Sequence, residues 1–512
     1  MKYLGTRRGT GLALVLASAL LALSCGSGGT PANLIGPGQG TTYAFIGDAP
    51  PAGSSILRFE VTLSRAELCP SVTTAGECQG TPVTLVSSPV DIALDQLQLA
   101  SAFLSLTNVS AGTYGGVRLT FSNPQLKLLL ADGAVQELEG ADLPLSPTTV
   151  TPAFANALNV ATGAKASFLI DINVQDSIQT SQGVVTGIAP VVSLVQLSGT
   201  ATQPVEVLTD TTGAVSSLSK TCPTGKFTLT DSMTGLAVAG VQFDSTTAFD
   251  EGLTCDTLAD NQVVEADIEL RSPTQQTAQF FAKKIDLLSE SGDEGLEGVV
   301  FQVNTPTQPA NISQFVLLVN HEQNLSSLTA GNFVTINADP TKVVFSIETT
   351  NLLVDSSAFA SGADLFAGQT VDVAITPGSL VTAVAGCANV SDNCTASAAT
   401  LRLKKSTMTA RVGGITAPNL TVDTLPSLFG SFSVSTFRPL SADCQSCALE
   451  SITVVTSGQT EFEDALGGFS AIQVGDNVTV RGLLIKNGFT GPGPVPLGSP
   501  QLVAAKVRRL TQ

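Results

Sequence analysis

Few residues in this sequence are equipped for chemistry, and their spacing limits what each could do. His321 is the single histidine. It opens His321-Glu322-Gln323-Asn324, which lacks the second histidine of a helical zinc site. Following the apolar run Phe315-Val316-Leu317-Leu318-Val319, it reads as a surface residue at a strand end. Cys444-Gln445-Ser446-Cys447 has the spacing of a redox dithiol, but no strand-to-helix pattern surrounds it to lower a thiol pKa, so a structural disulfide is expected. Cys387, Cys394, Cys444 and Cys447 could together bind zinc as thiolates. The irregular first spacing and an oxidising compartment argue against that. Asp171, Asn173 and Asp176 suggest calcium until the strand is drawn. Ile170, Ile172 and Val174 then take one face, Asp171 and Asn173 take a solvated one, and three donors fall short of the about six to eight oxygens calcium needs. No metal and no cofactor is expected.

Cys25 carries a different chemistry. It ends Leu21-Ala22-Leu23-Ser24-Cys25, which follows Lys2, Arg7, Arg8 and an uncharged run from Gly11 to Leu23, the charge order of a cleavable export signal. The pattern resembles the lipobox of bacterial lipoproteins, with alanine at 22 where leucine is commoner. The resemblance implies acylation of the Cys25 thiol, removal of residues 1–24, and a cell-envelope address facing the periplasm or the cell surface. The other eight cysteines fall into close pairs: Cys69 with Cys78, Cys222 with Cys255, Cys387 with Cys394, Cys444 with Cys447. Exported chains oxidise such sets, and short loops are the cheapest to close, so four local disulfides are expected.

Charge excludes one class of partner. Loss of Lys2, Arg7 and Arg8 with the signal leaves 21 basic against 42 acidic residues. Nucleic acid is therefore not an expected partner, because phosphate binding draws on Lys and Arg. Anionic lipid would not hold so acidic a chain either, which leaves the acyl chains on Cys25 as the membrane contact. Glycan capture is not favoured in a chain without Trp and with only Tyr43 and Tyr114 after the signal. Tyr114 itself lies in a Gly-Thr-Tyr corner that resembles a structural tyrosine corner.

The elements that must position these residues are strands. Charged residues make up 13% of the chain, and short Val-, Thr- and Ser-rich runs alternate with turns. No stretch after the signal sustains helical spacing, the best helix candidate being Ala93 to Ser105. Gly26 to Gly40 is Gly-, Ser- and Pro-rich and reads as a tether within 25–40. In Leu57 to Ser64, apolar Leu57, Phe59, Val61 and Leu63 alternate with Arg58, Glu60, Thr62 and Ser64, giving a core face and a wet face. Further strands are expected at Tyr43–Ile46, 82–86, 116–121, 127–130, 135–138, 166–174 and 190–197.

Gly47-Asp48-Ala49-Pro50, Ser64-Arg65-Ala66-Glu67-Leu68, Ala111-Gly112-Thr113-Tyr114, Phe168-Leu169-Ile170-Asp171-Ile172 and Ala189-Pro190-Val191-Val192, in this order and spacing, resemble the bacterial domain-of-unknown-function family 4382. The resemblance implies an immunoglobulin- or transthyretin-like sandwich over 41–198 and carries no catalytic residue. The rest of the chain repeats itself. Phe249, Phe359 and Phe462 recur, each followed by a Val-rich strand (Val263, Val371, Val478) and then by a basic strand at Lys283-Lys284, Lys404-Lys405 or Lys506-Val507-Arg508. These units loosely resemble the domain-of-unknown-function family 5666, small barrel-like modules.

The expected fold is all-β: an immunoglobulin/transthyretin-like sandwich followed by tandem small β-barrel-like modules at 199–295, 296–408 and 409–512. A copy of the Gly-x-x-Val-x-Ile element at Gly331 to Ile336 makes the middle module composite or a pair of half units. The sandwich and the repeats are expected to fold separately. The functional expectation is a non-enzymatic, lipid-anchored envelope scaffold or interaction surface with a protein or polymer partner. The alternatives are an acid-only hydrolase working with paired carboxylates, or a glycan-binding surface lipoprotein.

Overall fold

The computed structural model describes residues 38–509 apart from 50–55, 98–100, 130–134, 182–183, 198–203, 251, 272–278, 290–292, 304–312, 348–351, 353, 385, 417–429, 436–450, 463–467 and 487–500. Cys25, Cys444 and Cys447 lie outside the described residues. Within these limits the chain is nearly all strand, as the alternating sequence requires.

Two sheets face each other over residues 39–197. One orders the strands Val192–Leu197, Lys165–Asn173, Gln39–Ala49 and Ser101–Ser110, with Gln39–Ala49 parallel to Lys165–Asn173. The other is built on the long pair Ile56–Cys69 and Gly112–Leu129. The strands expected at 116–121 and 127–130 are this one strand, which stays in register through β-bulges instead of turning. Phe59, Leu63, Leu119, Phe121, Phe168 and Ile170 fill the space between the sheets. The Tyr114 hydroxyl donates to the Ser110 carbonyl at 2.7 Å, a tyrosine-corner contact. The helix candidate at 93–105 is a single 3-10 turn, Leu94–Gln96, before the strand Ser101–Ser110. Its Leu94 and Leu97 are drawn into the sandwich core, which ends the turn there.

The repeat resolves into three closed five-stranded barrels. In the first, Val205–Thr221 pairs with Thr224–Asp231 and Val263–Arg271, and Gln279–Ser289 closes the ring by lying parallel to Ala237–Phe243 at Gln242–Phe281. The second uses Gly295–Val303, Gln314–Gln323, Phe333–Asn337, Thr370–Ile375 and Thr395–Thr416. The third uses Thr395–Thr416 again, with Gly430–Ser435, Ser451–Thr456, Asn477–Ile485 and Gln501–Arg509. Numbered within each unit, the strands close in the order 1-2-3-5-4-1 with strands 3 and 5 parallel, the order of an OB-type Greek-key barrel. Each barrel has its own apolar interior.

The 22-residue strand Thr395–Thr416 is strand 5 of the second barrel and strand 1 of the third, so position 408/409 falls inside an element that both barrels share. The Gly331 to Ile336 element supplies strand 3 of the second barrel. Phe249 and Phe462 sit on short strands running parallel to strand 5, whereas Phe359 is buried in a 3-10 turn. Disulfides join Cys69 to Cys78, Cys222 to Cys255 and Cys387 to Cys394, with Cα atoms 5.5, 5.8 and 5.8 Å apart.

Candidate functional site

The basic strands of the repeat converge on one place. Lys283 and Lys284 lie on strand 5 of the first barrel, Lys404 and Lys405 on the shared strand, and Arg481 and Lys506 on strands 4 and 5 of the third barrel. Each meets carboxylates, several of them from a different barrel. Glu206 of the first barrel accepts from Lys283 at 3.0 Å and from Lys506 of the third at 2.7 Å. Asp210 lies 3.2 Å from Lys405 and also pairs with Arg481. Lys404 joins Glu265 of the first barrel to Glu297 of the second, the latter at 2.8 Å. Lys283 reaches Glu461 at 2.6 Å.

The Lys404 side chain is 4% exposed and that of Asp210 3%, so each is held by its own ion partners and not by water. Burial alone would raise the carboxyls, but Lys506 and Lys283 outweigh it and lower Glu206 to about 2. Against the same burial, Arg481, Lys405 and Lys284 keep Asp210 well below the usual carboxylate range. Burial also disfavours the Lys404 ammonium, yet Glu265, Glu297 and Asp372 hold it charged. Asp267 goes the other way. Burial and then the charges of Asp210 and Glu206 raise it to about 7, while its Oδ1 accepts from the Asp210 amide at 2.7 Å. Asp210 and Asp267 therefore form a carboxyl pair with separated proton affinities, the feature an acid-only hydrolase uses. The space that both of them border is only about 40 Å³, room for about one water.

A larger polar cavity, about 350 Å³, opens where the sandwich meets the first two barrels. Arg58, Glu60 and Asp91 border it from the sandwich, Asp210 and Asp231 from the first barrel, and Glu297, His321 and Glu322 from the second. The face of Ile56–Cys69 expected to be wet is thus covered. Arg58 and Glu60 tolerate this because they pair with each other, and Thr62 donates to Asp91 at 2.6 Å. Gln96 Nε2 ties the sandwich to the Asn320 carbonyl at 2.9 Å, and Lys127 Nζ donates to the Gly331 carbonyl at 2.9 Å.

His321 is not a strand-end surface residue. It lies within Gln314–Gln323, half-buried and in register with Glu297, because the second barrel packs this strand against the sandwich. Burial lowers its pKa against the opposing pull of Glu297 and Glu322. Asn173 and Asp176 bond to each other, Asn173 capping the short helical turn at Val174–Ser177. Among the described residues no His, Cys, Asp and Glu side chains gather as a metal site.

The fold and this junction define the class: an all-β chain with a sandwich leading into fused Greek-key barrels. Residues 431–490, which include strands 2 to 4 of the third barrel, match the family described as Domain of unknown function (DUF5666). No match to family 4382 is found, and no curated protein matches the sequence. Among solved structures, one described as "drosophila Unr CSD456" is 13% identical over 60% of this chain and 99% of that chain, with a TM-score of 0.14, which carries no structural inference.

The carboxylates of the junction had no signature in the sequence. Glu206, Asp210 and Glu265 are three among 42 acidic residues, and only the recurring basic strands pointed toward them.

Proposed function

We propose that the chain is a non-enzymatic, lipid-anchored protein of the bacterial cell envelope. Acyl chains on Cys25 hold it to the membrane, and its β body serves as a scaffold or interaction surface for an envelope protein or polymer. The sandwich in this reading is of the family-4382 type, and all three barrels are of the family-5666 type. The observation that carries the proposal is the charge junction. Lys283, Lys404, Lys405, Arg481 and Lys506 each reach a carboxylate of another barrel, an arrangement suited to keeping the barrels fixed on one another. A hydrolase at the Asp210–Asp267 pair is disfavoured, since Lys405 and Arg481 occupy Asp210 and the space that both carboxyls border is only about 40 Å³. Among the described residues no helix is long and apolar enough to cross a membrane.

The test is fractionation of cells expressing the full chain or Cys25→Ser, followed by cross-linking and recovery of the protein from envelope extracts. The wild-type chain should sediment with membranes and Cys25→Ser should be released. An unchanged membrane fraction for the variant would remove the anchor from this reading. Turnover of glycoside substrates by the purified chain, lost in Asp267→Asn, would replace the scaffold with the hydrolase.

A further inference from the structure

We propose that the strand Val192–Leu197, at the edge of the sandwich, pairs antiparallel with the same strand of a second copy and joins two chains through one continuous sheet.

The edge is open. The Asn173 amide donates to the Val191 carbonyl at 2.9 Å, and the register Asp171–Ser193, Leu169–Val195, Ser167–Leu197 runs on from it without a shift. Residues 193, 195 and 197 therefore bond to Lys165–Asn173, and the N–H and C=O groups of Val192, Leu194 and Gln196 point away from the sheet. Among the described residues no backbone group pairs with those three. Ala153–Val160 of the other sheet approaches this side, but its Asn156 carbonyl accepts from the Gln196 side chain and not from the strand's backbone. The opposite edge of the same sheet, Ser101–Ser110, is flanked by the first barrel, the Ser101 hydroxyl donating to the Val207 carbonyl.

Charge selects the occupant. Exposed edges are ordinarily guarded by a lysine, a proline or a bulge, and Val192-Ser193-Leu194-Val195-Gln196-Leu197 has none of these. No charged residue stands between Asp176 and Glu206, in a chain whose acidic residues outnumber the basic ones 42 to 24. A cationic partner would gain nothing from this edge, whereas two equally acidic copies can meet here without setting like charges opposite one another. Asp171 stands one strand further in.

Centring the pair on Leu194 engages all three outward groups. Val192 then faces Gln196 of the second copy, and Ser193 faces Val195, so every cross-strand pair is uncharged. Val195 is 44% exposed and sits beside Leu169. Leu169 and Leu197 already pack against the first barrel, so the pairing extends an apolar row that begins at an interface within the chain.

The test is light scattering and disulfide trapping with the full chain carrying Cys25→Ser, which keeps acyl-driven association out of the measurement and makes the outcome independent of the anchor. At about 100 µM, enough to populate a small single-strand interface, the chain should scatter as two copies. Gln196→Pro removes an outward donor at a position where an edge strand accepts proline, and should weaken the dimer about tenfold or more without lowering the melting temperature. If that variant unfolds, Val195→Lys, at an exposed position, serves instead with the same expected loss. Ser193→Cys and Val195→Cys chains, purified separately and mixed under mild oxidation, should form a disulfide-linked dimer, because these positions make a non-hydrogen-bonded pair with Cα atoms about 4.5 Å apart. Neither chain alone should cross-link to that extent. A monomer at about 100 µM, a dimer unaffected by both Gln196→Pro and Val195→Lys, or cross-linking no greater in the mixture than in either cysteine variant alone would each overturn the proposal.

Discussion

Tyr43 and Phe280 meet edge to face with ring centroids 4.8 Å apart, keying the first strand of the sandwich to the last strand of the first barrel. Phe45 and Phe103 join them, so these three sandwich rings belong to the apolar cluster of the barrel and not to that of the sandwich. The Tyr43 hydroxyl shares the burial, which pushes its pKa up to about 12.

A fragment of residues 41–198 would leave those rings in water. We expect it to melt cooperatively but well below the full chain in circular dichroism. Phe280→Ala in the full chain should cost about 3–5 kcal/mol in urea unfolding, the range for emptying a buried aromatic site. A fragment as stable as the full chain would mean that this seam contributes nothing.

Lys404 supports two carboxylates from two barrels. Lys404→Met removes the cation that the two carboxylates share and should cost about 3–5 kcal/mol. Lys342→Met breaks a pair whose lysine is 78% exposed and should stay within about 0.5 kcal/mol of wild type. Equal losses in the two variants would deny the junction its structural role.

The pH dependence follows from the raised acids. Burial raises Asp267 to about 7 and Asp372 to about 6, so the folded chain holds two protons that the unfolded chain releases near pH 4. Stability from these groups is full below about pH 4 and declines as pH rises through their folded values. Glu206, lowered to about 2, acts oppositely: its contribution is present above about pH 4.5 and is lost in acid. Urea unfolding at about pH 5 and pH 8 should show the wild type weaker at the higher pH. Asp267→Asn should show a smaller difference, and an unchanged difference would remove Asp267 as the cause.

The disulfides differ in the loops they close. Cys222–Cys255 spans 33 residues, against 9 for Cys69–Cys78 and 7 for Cys387–Cys394. On the chain-entropy account, removing the first by paired Cys→Ala changes should cost about 3.7 kcal/mol, against about 2.6 and 2.4 for the others. Non-reducing peptide mapping should recover all three bonds. Free thiols at these six positions in the native exported chain would defeat the assignment.

Much of the fold was legible because it is local. Alternation in Leu57 to Ser64, the close cysteine pairs and the hundred-residue recurrence all lie within short windows, where a strand's period of two or a short loop fixes the outcome. Even there the bulges in Ile56–Cys69 divide the apolar set: Leu57 packs with Phe301 and Phe333 of the second barrel, while Phe59, Val61 and Leu63 enter the sandwich core.

The junction and the cavity depended on closure. Barrel pairing brings Lys506 to Glu206 across 300 residues, and none of the 42 acidic residues announces such a partner. Thr395–Thr416 reads as one repeat's last strand until its second half is seen to begin the next barrel. His321 reads as exposed until the sandwich covers its strand. The sequence by itself determined strand content, the recurring unit and the local disulfide pairs, because short-range alternation and loop entropy act along the chain. Tertiary structure alone decided which charges neutralise one another and where polar space remains, because pairing energies in a desolvated interior depend on distances that only the closed barrels set.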